Sequence, residues 1–559
     1  MEYYNKYNSN FSDSEIFILK NKNNDFKCNN ITIINNRGIH NDIVYVKDNK
    51  VIGIKERNRS KIVGVLFLNK NTKFGVNGKG YPYYLFKPLN NKYPNFYVAS
   101  KSREKRKIYV VIEFLRWNES DKQPYGMITD IIGEIDIINN EYKALLYKNN
   151  LIYPKFKVLK FKLDNHIKRD NNLQKSQPEY YVFSIDPKGS KDIDDAFHYK
   201  ELDSGFEIGV HITDITQYFS YDEIININQS SSIYLPNEIK YLLPKIYSED
   251  LCSLIKNRIR KTVMVLFTYS SEYKLISTKI KYSIVKVRQN YNYDQVDKLI
   301  SYEEKTNLHK FFDTIKNISY KINDSHTAVE YYMIEANKFI AEELYKKDPK
   351  NTILRTYNGN KINFNEDDCL NNYLNTSGIE SANYICTTDD DKIKHNILET
   401  KYYTHFTSPI RRLPDIYIHH QLKMMINDKE FYEIENTKID NMNKFQKNTR
   451  KLYNDIKKIN IIYDLQENYE TTAYIIDFNE INIKLYLPEF KITHKTTLYS
   501  NKISDLLEIN LKDDSISLKN NNESVTYNLY QKINVRLNSL IQEDSILKKL
   551  HIHIISDFF

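Results

Sequence analysis

Along residues 1–165, short apolar runs alternate with polar residues and are broken by polar turns, a pattern that predicts short strands. Asp42 to Val46 and Val51 to Ile54 are β-rich and flank the turn Asp48-Asn49-Lys50. A second set runs through Ile108 to Ile112 and Gly126 to Ile128. Strands at this spacing predict two consecutive small barrels. The stretch Lys160 to Ser176 is largely polar and reads as a linker. From Glu179 the texture becomes mixed. Phe206, Ile208, Val210 and Ile212 alternate with Glu207, Gly209 and His211, a strand pattern. Val329, Met333, Ala336, Ile340 and Leu344 recur at helical spacing, which predicts an amphipathic helix over 326–346. Pro414 ahead of Ile418, Leu422 and Met425 predicts a helix with proline in its first turn. Residues 439–464 form another charged helical pattern, and Thr471 to Leu487 and Ile533 to Leu537 return to strands, predicting a third barrel. No internal repeat is visible beyond the barrel-like segments.

Length and composition add bounds. A chain of 559 residues is too long for one core. Aromatic content of 13% and hydrophobic content of 41% are those of a folding chain. Lys and Arg exceed Asp and Glu by 81 to 72, a net charge of +9 that fits an anionic partner without requiring one. The many Lys, Asn and Ile, with 47 Tyr and only 13 Gly, fit an AT-rich genome, which raises lysine content by itself. Cys28, Cys252, Cys369 and Cys386 show no C-x-x-C spacing, so neither a zinc site nor a disulfide framework is expected. Scattered thiols fit a reducing compartment. Met1 to Lys6 open no signal-peptide core and no apolar run approaches a membrane span, so a soluble cytoplasmic protein is expected.

The sharpest chemical signal is Ser184-Ile185-Asp186-Pro187-Lys188-Gly189-Ser190-Lys191-Asp192-Ile193-Asp194-Asp195. Unpaired carboxylates packed so closely repel, and a divalent cation removes that repulsion. Their oxygens suit hard ions, Mg²⁺ or Mn²⁺. Pro187 and Gly189 allow an irregular loop that turns several side chains inward. A solvated acidic loop fits the same residues taken alone. An EF-hand does not, because the glycine and distal glutamate of that loop are missing at their spacing. The second signal is Thr404-His405-Phe406-Thr407-Ser408-Pro409-Ile410-Arg411-Arg412-Leu413-Pro414-Asp415, two arginines just before a helix start. Guanidinium groups and helix-start amides both favour phosphate, although two surface cations capping a turn read the same way.

Together the two segments resemble the signatures of the RNase II family (RNase II, RNase R and the eukaryotic exosome nuclease), Asp-x₅-Asp-x-Asp-Asp followed downstream by Thr-Ser-Pro-Ile-Arg-Arg/Lys. Gly209 to Ile215, Ile233 to Pro236, Leu251 to Leu254, Tyr293 to Val296 and Glu330 to Asn337 are similar to further family elements. Gly38 to Val44 with Gly53 and Arg57 resembles the first cold-shock barrel. The sole tryptophan, Trp117, with Pro124, Gly126, Gly133 and Glu141, resembles the second, in the form of the exosome-nuclease branch. The resemblance covers most of residues 37–425 and shows no N-terminal endonuclease domain. It implies a multidomain α+β chain: cold-shock-like OB barrels at 1–90 and 91–165, a mixed α/β RNB catalytic domain at 166–465, and an S1-like OB barrel at 466–559.

The resemblance also implies an activity: 3′→5′ processive hydrolysis of single-stranded RNA to nucleoside 5′-monophosphates. Asp186, Asp192, Asp194 and Asp195 are then the Mg²⁺ site, with Asp194 the catalytic aspartate and Arg411 on the scissile phosphate. Tyr234 stacks on the terminal base, Tyr293 and Glu330 read ribose, and Arg412 contacts RNA. A monomer is expected, with membership of a larger RNA-decay complex left open. The chain departs from the pattern at Leu413 and His420, where the family has tyrosine and arginine, and at Gln229 to Ser232, which lack an arginine and glycine. The run from Ile300 to Ser325 is short and offers no evident aromatic partner for Tyr234; Phe311 and Phe312 are the nearest substitutes. A looser end clamp and a longer limit product are expected. Two other classes stay open: a non-catalytic RNA-binding protein on the same scaffold, and a hydrolase of another phosphodiester.

Overall fold

The computed structural model describes residues 15–22, 25–29, 31–35, 37–68, 73–102, 104–300, 306–319, 322–359, 368–374, 382–389, 391–465, 468–479, 482–497, 508–519, 524–539 and 549–555. Met1 to Lys6 lie outside these residues, as does part of the run from Ile300 to Ser325. The chain forms two compact units, Met1–Ile152 with Asn448–Phe559, and Tyr153–Lys447.

The first unit is built from β-sheets. Ile43–Lys47 and Lys50–Glu56 form the hairpin expected from their alternation. Asp48 and Asn49 make its tip, with φ of 51° and 56°, the left-handed pair that matches strand twist in a two-residue turn. Glu15–Ile18 adds a third strand, and Leu19, Val44, Val46 and Val51 are buried beneath. The second barrel closes through Phe96–Ala99, which pairs with both Pro82–Pro88 and Tyr125–Glu134; Lys107–Arg116 and Ile62–Phe67 complete the ring. Gly64 permits a close strand approach, since a Cβ there would stand 2.3 Å from the Lys87 carbonyl oxygen. At the C-terminal end, Tyr469–Phe478, Asn482–Leu487, Ile492–Thr497, Lys532–Ser539 and Leu550–Ile554 form a curled five-stranded sheet. The Thr496 hydroxyl donates to the Ile552 carbonyl across its two edge strands at 2.7 Å.

The second unit centres on a closed five-stranded barrel: Tyr180–Asp186, Asp195–Leu202, Gly205–Thr213, Ile259–Ser270 and Leu275–Asn292. The predicted strand around Phe206 to Ile212 is Gly205–Thr213, with Phe206, Ile208, Val210 and Ile212 buried. The predicted helices are Ser325–Lys347 and Leu413–Ile426 in this unit, and Asn436–Asp464, whose residues from Asn448 onward belong to the first unit. The first buries Ala328, Tyr332, Ala336, Ile340 and Leu344, an i, i+4 stripe against the barrel cluster. The expected linker at Lys160 to Ser176 is instead a helix, Lys160–Leu173. Its sequence is polar overall, yet His166, Asp170 and Leu173 recur at i, i+4 and i+7 and are buried. Asp170 is there to meet Arg260, which is wholly buried and donates Nη1 to Asp170 Oδ1 at 3.0 Å.

Candidate active site

Two barrel strands end and begin on the acidic loop. Asp186 is the last residue of Tyr180–Asp186, and Asp195 opens Asp195–Leu202. Between them Gly189 takes a φ of 86°, which glycine adopts without strain. The loop is fixed from the opposite side by Ser253. Its hydroxyl accepts from the Ile193 amide at 3.0 Å and donates to the Lys191 carbonyl at 2.7 Å, bracketing Asp192. The Ser253 carbonyl in turn accepts from Arg260 Nε at 3.0 Å, and Arg260 Nη2 donates to the Asp250 carbonyl at 2.9 Å. A buried guanidinium with all these acceptors is the stay behind the loop. Neither residue has a role in the sequence pattern; the one signal is the pair of cations, Arg260 and Lys261, at the head of the apolar strand Ile259–Ser270.

The arginine element meets the loop at Asp194. The Ile410 amide donates to Asp194 Oδ1 at 2.7 Å and Arg411 Nε to Oδ2 at 3.0 Å, so each carboxylate oxygen has a donor. The Asp194 side chain is 1% exposed and that of Arg411 46%, which leaves an open flank of the guanidinium for a ligand. Burial lifts Asp194 to about 7, with Arg411 pulling the other way. Arg412 is turned onto Asp415, donating Nη2 to Oδ1 at 2.7 Å, and Ser408 N donates to the same oxygen at 2.8 Å. This pair holds the turn that presents Arg411. Leu413, at the first family departure, is buried in the core. His420, at the second, is also buried, and burial lowers it to about 4, so it carries no charge at neutral pH.

The serine-rich stretch that departs from the family pattern has a structural partner. Ser232 N donates to the Arg411 carbonyl and Leu413 N to the Ser230 carbonyl, both at 2.9 Å. That short bridge carries Tyr234 to the loop, where its hydroxyl donates to the Asp192 carboxylate. Tyr293 caps the far side: Asn292 pairs in register with Asp186, so Tyr293 follows directly beside it. Burial pushes the Tyr293 hydroxyl up to about 12, with Asp195 and Asp186 adding to it and Arg411 opposing. Its ring stacks on His326, a residue without a role in the sequence reading, with centroids 3.5 Å apart and planes 9° from parallel. Glu330 is exposed on the same helix one turn later. Phe311 and Phe312 are buried in the core and do not offer a face to Tyr234.

The carboxylates that have no donor decide what the site can hold. Burial lifts Asp186 to about 6, and Asp192 adds to it while Arg411 opposes. Asp186 Oδ2 is buried without a hydrogen-bond partner. Burial and then Asp186 and Asp194 push Asp195 well above the usual carboxylate range. Among the described residues no three acidic, histidine or cysteine side chains enclose an ion in this pose, because Asp192 is drawn to Tyr234 and Asp194 to Arg411. The donor set, all oxygen and short of positive charge, fits a hard divalent cation.

Residues 175–319 and 359–428 match the RNB domain, and both motifs lie inside those limits. The central part of the chain is thus an RNB domain. Residues 83–150 match the Dis3-like cold-shock domain 2. The Arabidopsis thaliana exosome complex exonuclease RRP44 homolog A is 24% identical over 462 residues, 67% of this chain and 49% of that protein. The human exosome complex exonuclease RRP44 is 21% identical over 580 residues, 87% of this chain and 59% of that one. This chain thus spans 49% to 59% of the length of these two relatives. Mycoplasma genitalium RNase R shares the fold with a TM-score of 0.75 at 17% identity, over 97% of this chain and 100% of that one. Yeast Ssd1, a pseudonuclease, shares it with a TM-score of 0.65 at 15% identity, over 98% and 97%. The architecture is therefore multidomain α+β, with N-terminal OB domains and a central RNB domain. Since a pseudonuclease has the same fold, the activity of this chain turns on its site residues.

Proposed function

We propose that this protein is a Mg²⁺-dependent 3′→5′ exoribonuclease that hydrolyses single-stranded RNA processively to nucleoside 5′-monophosphates. The observation that carries the reading is the clamp on Asp194: a buried carboxylate gripped by Ile410 N and Arg411 across 217 residues of chain. A structural role needs no half-exposed guanidinium beside four carboxylates. Asp186, Asp192, Asp194 and Asp195 would hold Mg²⁺, with Mn²⁺ as a substitute. When bound, the ion supplies charge neutralisation and an acidified water. Arg411 offers its open flank to the phosphate, where negative charge builds as the bond breaks. Its Nε stays on Asp194, so phosphate contact falls to the remaining N–H groups. Tyr234 lends a ring face to the terminal base once its hydroxyl leaves Asp192, Tyr293 and Glu330 meet the ribose, and Arg412 steadies the RNA-facing turn through Asp415. The relatives' names, exosome complex exonucleases, agree with this reading. A cytoplasmic monomer, able to join a larger RNA-decay assembly, fits the four scattered cysteines.

The second reading, a non-catalytic RNA-binding protein, is favoured by the Tyr234–Asp192 contact, which ties up a base-stacking ring and a metal-binding carboxylate together. Incubating the chain with 5′-labelled RNA and matched DNA, with Mg²⁺ or EDTA, separates the two. RNA shortening that needs Mg²⁺, spares DNA and drops at least about a thousandfold in Asp194→Asn is expected. Intact RNA with folded wild type and Mg²⁺ refutes the enzyme.

A further inference from the structure

Tyr293 does not stand alone at the edge of the acidic loop. Its ring lies flat on the His326 imidazole, centroids 3.5 Å apart and planes 9° from parallel. Two helix starts are locked together to make that stack. Asn292 caps the helix Tyr293–Leu299, with its side chain accepting from Gln295 N at 2.9 Å and the Gln295 side chain accepting from Asn292 N at 3.0 Å. Asp324 caps Ser325–Lys347 in the same way with Thr327. Between them Ser325 N donates to Asp297 Oδ1 at 3.0 Å, and the Ser325 hydroxyl donates to the Tyr293 carbonyl at 3.4 Å. His326 follows Ser325 and is exposed, while Tyr293 is half-buried and near Asp195 and Asp186.

A tyrosine ring with one open side has rotamer freedom that ordering must overcome. The imidazole removes that freedom. It closes one face of the ring, so a ligand reaches only the hydroxyl edge and the opposite face. A group that reads a 2′-hydroxyl gains selectivity when it is held in place before the ligand arrives.

We infer that His326 is a positioning residue that fixes the Tyr293 ring against the acidic loop and thereby sets discrimination between a 3′-terminal ribose and 2′-deoxyribose. This rests on the reading of Tyr293 as the group that meets the terminal sugar. The effect needs a flat ring and not a titrating one, so phenylalanine serves as well as histidine. It also acts through Tyr293, so it vanishes when the Tyr293 hydroxyl is removed.

The test measures binding, which requires no turnover. Full-length Asp194→Asn protein is titrated with fluorescein-labelled oligoribonucleotides ending in ribose or in 2′-deoxyribose, and the ratio of the two Kd values is read. His326→Ala is expected to shrink that ratio about three- to tenfold, with an unchanged thermal unfolding midpoint. His326→Phe is expected to restore it, and His326→Ala added to Tyr293→Phe to change nothing further. In the otherwise wild-type enzyme, His326→Ala should raise KM for ribose-ended RNA while kcat holds. An undiminished ratio in His326→Ala, or failure of phenylalanine to restore it, overturns the inference. Wild-type binding that does not distinguish the two ends overturns it together with the role of Tyr293. Sugar discrimination without any RNA cleavage leaves the inference standing and removes only the exonuclease reading.

Discussion

Asp42 in the first barrel and Asp186 in the acidic loop are both carboxylates that burial lifts to about 6, yet they are built differently. Asp42 accepts from Ile39 N at 2.8 Å, Asn58 N at 2.7 Å and Arg57 Nη1 at 2.5 Å. Every oxygen has a donor, and the charge has a partner in the same fold. Asp186 has its Ser184 hydrogen bond on one side and a bare buried oxygen on the other. Its neighbour Asp195 is also a carboxylate and makes the shortage worse. A raised pKa alone therefore does not separate a site from a strut. The separation lies in whether the fold has already satisfied the group.

The contrast breaks hardest at Asp42. Asp42→Ala leaves Arg57 with a side chain only 8% exposed and no carboxylate, and about 3 to 5 kcal/mol of stability should be lost. Urea unfolding followed by fluorescence of the sole tryptophan, Trp117, measures it. A loss below about 1 kcal/mol means that Asp42 is not the strut its contacts describe.

Glu141 sharpens the same side of the contrast through pH. It is 1% exposed, and it accepts from the Tyr109 hydroxyl and from Asp136 N, both at 2.8 Å. Burial nevertheless raises it from 4.5 to about 7. A carboxyl whose folded pKa exceeds its unfolded one binds its proton more tightly in the native state. Its contribution is thus fully present below pH 4.5 and is lost as pH rises toward 7, on the order of 3 kcal/mol in all. Glu141→Gln should flatten that slope. A wild-type stability that stays level across the window contradicts the assignment.

Adding a divalent ion tests the other side. Mg²⁺ at one hundred times its Kd should stabilise the second unit by roughly 2 to 3 kcal/mol, because the proposed site exists only in the folded cluster. The rise in Tm should reverse with EDTA and be lost in a variant carrying Asp186→Asn and Asp195→Asn. An identical rise in that double variant places the ion elsewhere.

Much of this was legible in the chain. The strand Gly205–Thr213 and the helix Ser325–Lys347 follow from alternation and from an i, i+4 stripe, since burial on one face is their cause. The two site segments were legible as motifs, but their meeting was not. The Asp194–Arg411 contact spans 217 positions and carries no local pattern. The helix Lys160–Leu173 was hidden because its buried stripe includes His166 and Asp170, polar residues whose partners, Tyr247 and Arg260, lie far along the chain. Tyr234 reaches Asp192 only through the bridge between Ser231 and Arg412. His326 passes for one more exposed helix residue until Ser325 is seen tied to Asp297. In each case the missing information is a long-range polar pairing, which hydrophobic periodicity does not encode.

The smallest effect is the most diagnostic, because it turns on sign. Asp→Asn keeps size and shape at both positions and removes only the charge. At Asp42 the new amide cannot accept from Arg57 and two backbone N–H groups at once, so Asp42→Asn must destabilise. At Asp186 the same change removes repulsion from Asp192 and Asp195 and supplies a donor next to them. Without metal, Asp186→Asn should therefore stabilise the protein by about 1 kcal/mol while weakening Mg²⁺ binding and RNA cleavage. Parallel urea titrations in EDTA compare the two variants directly. Destabilisation by Asp186→Asn would show that the loop carboxylate is satisfied in the folded chain, and the distinction between strut and site would then fail at the residue where it is drawn most sharply.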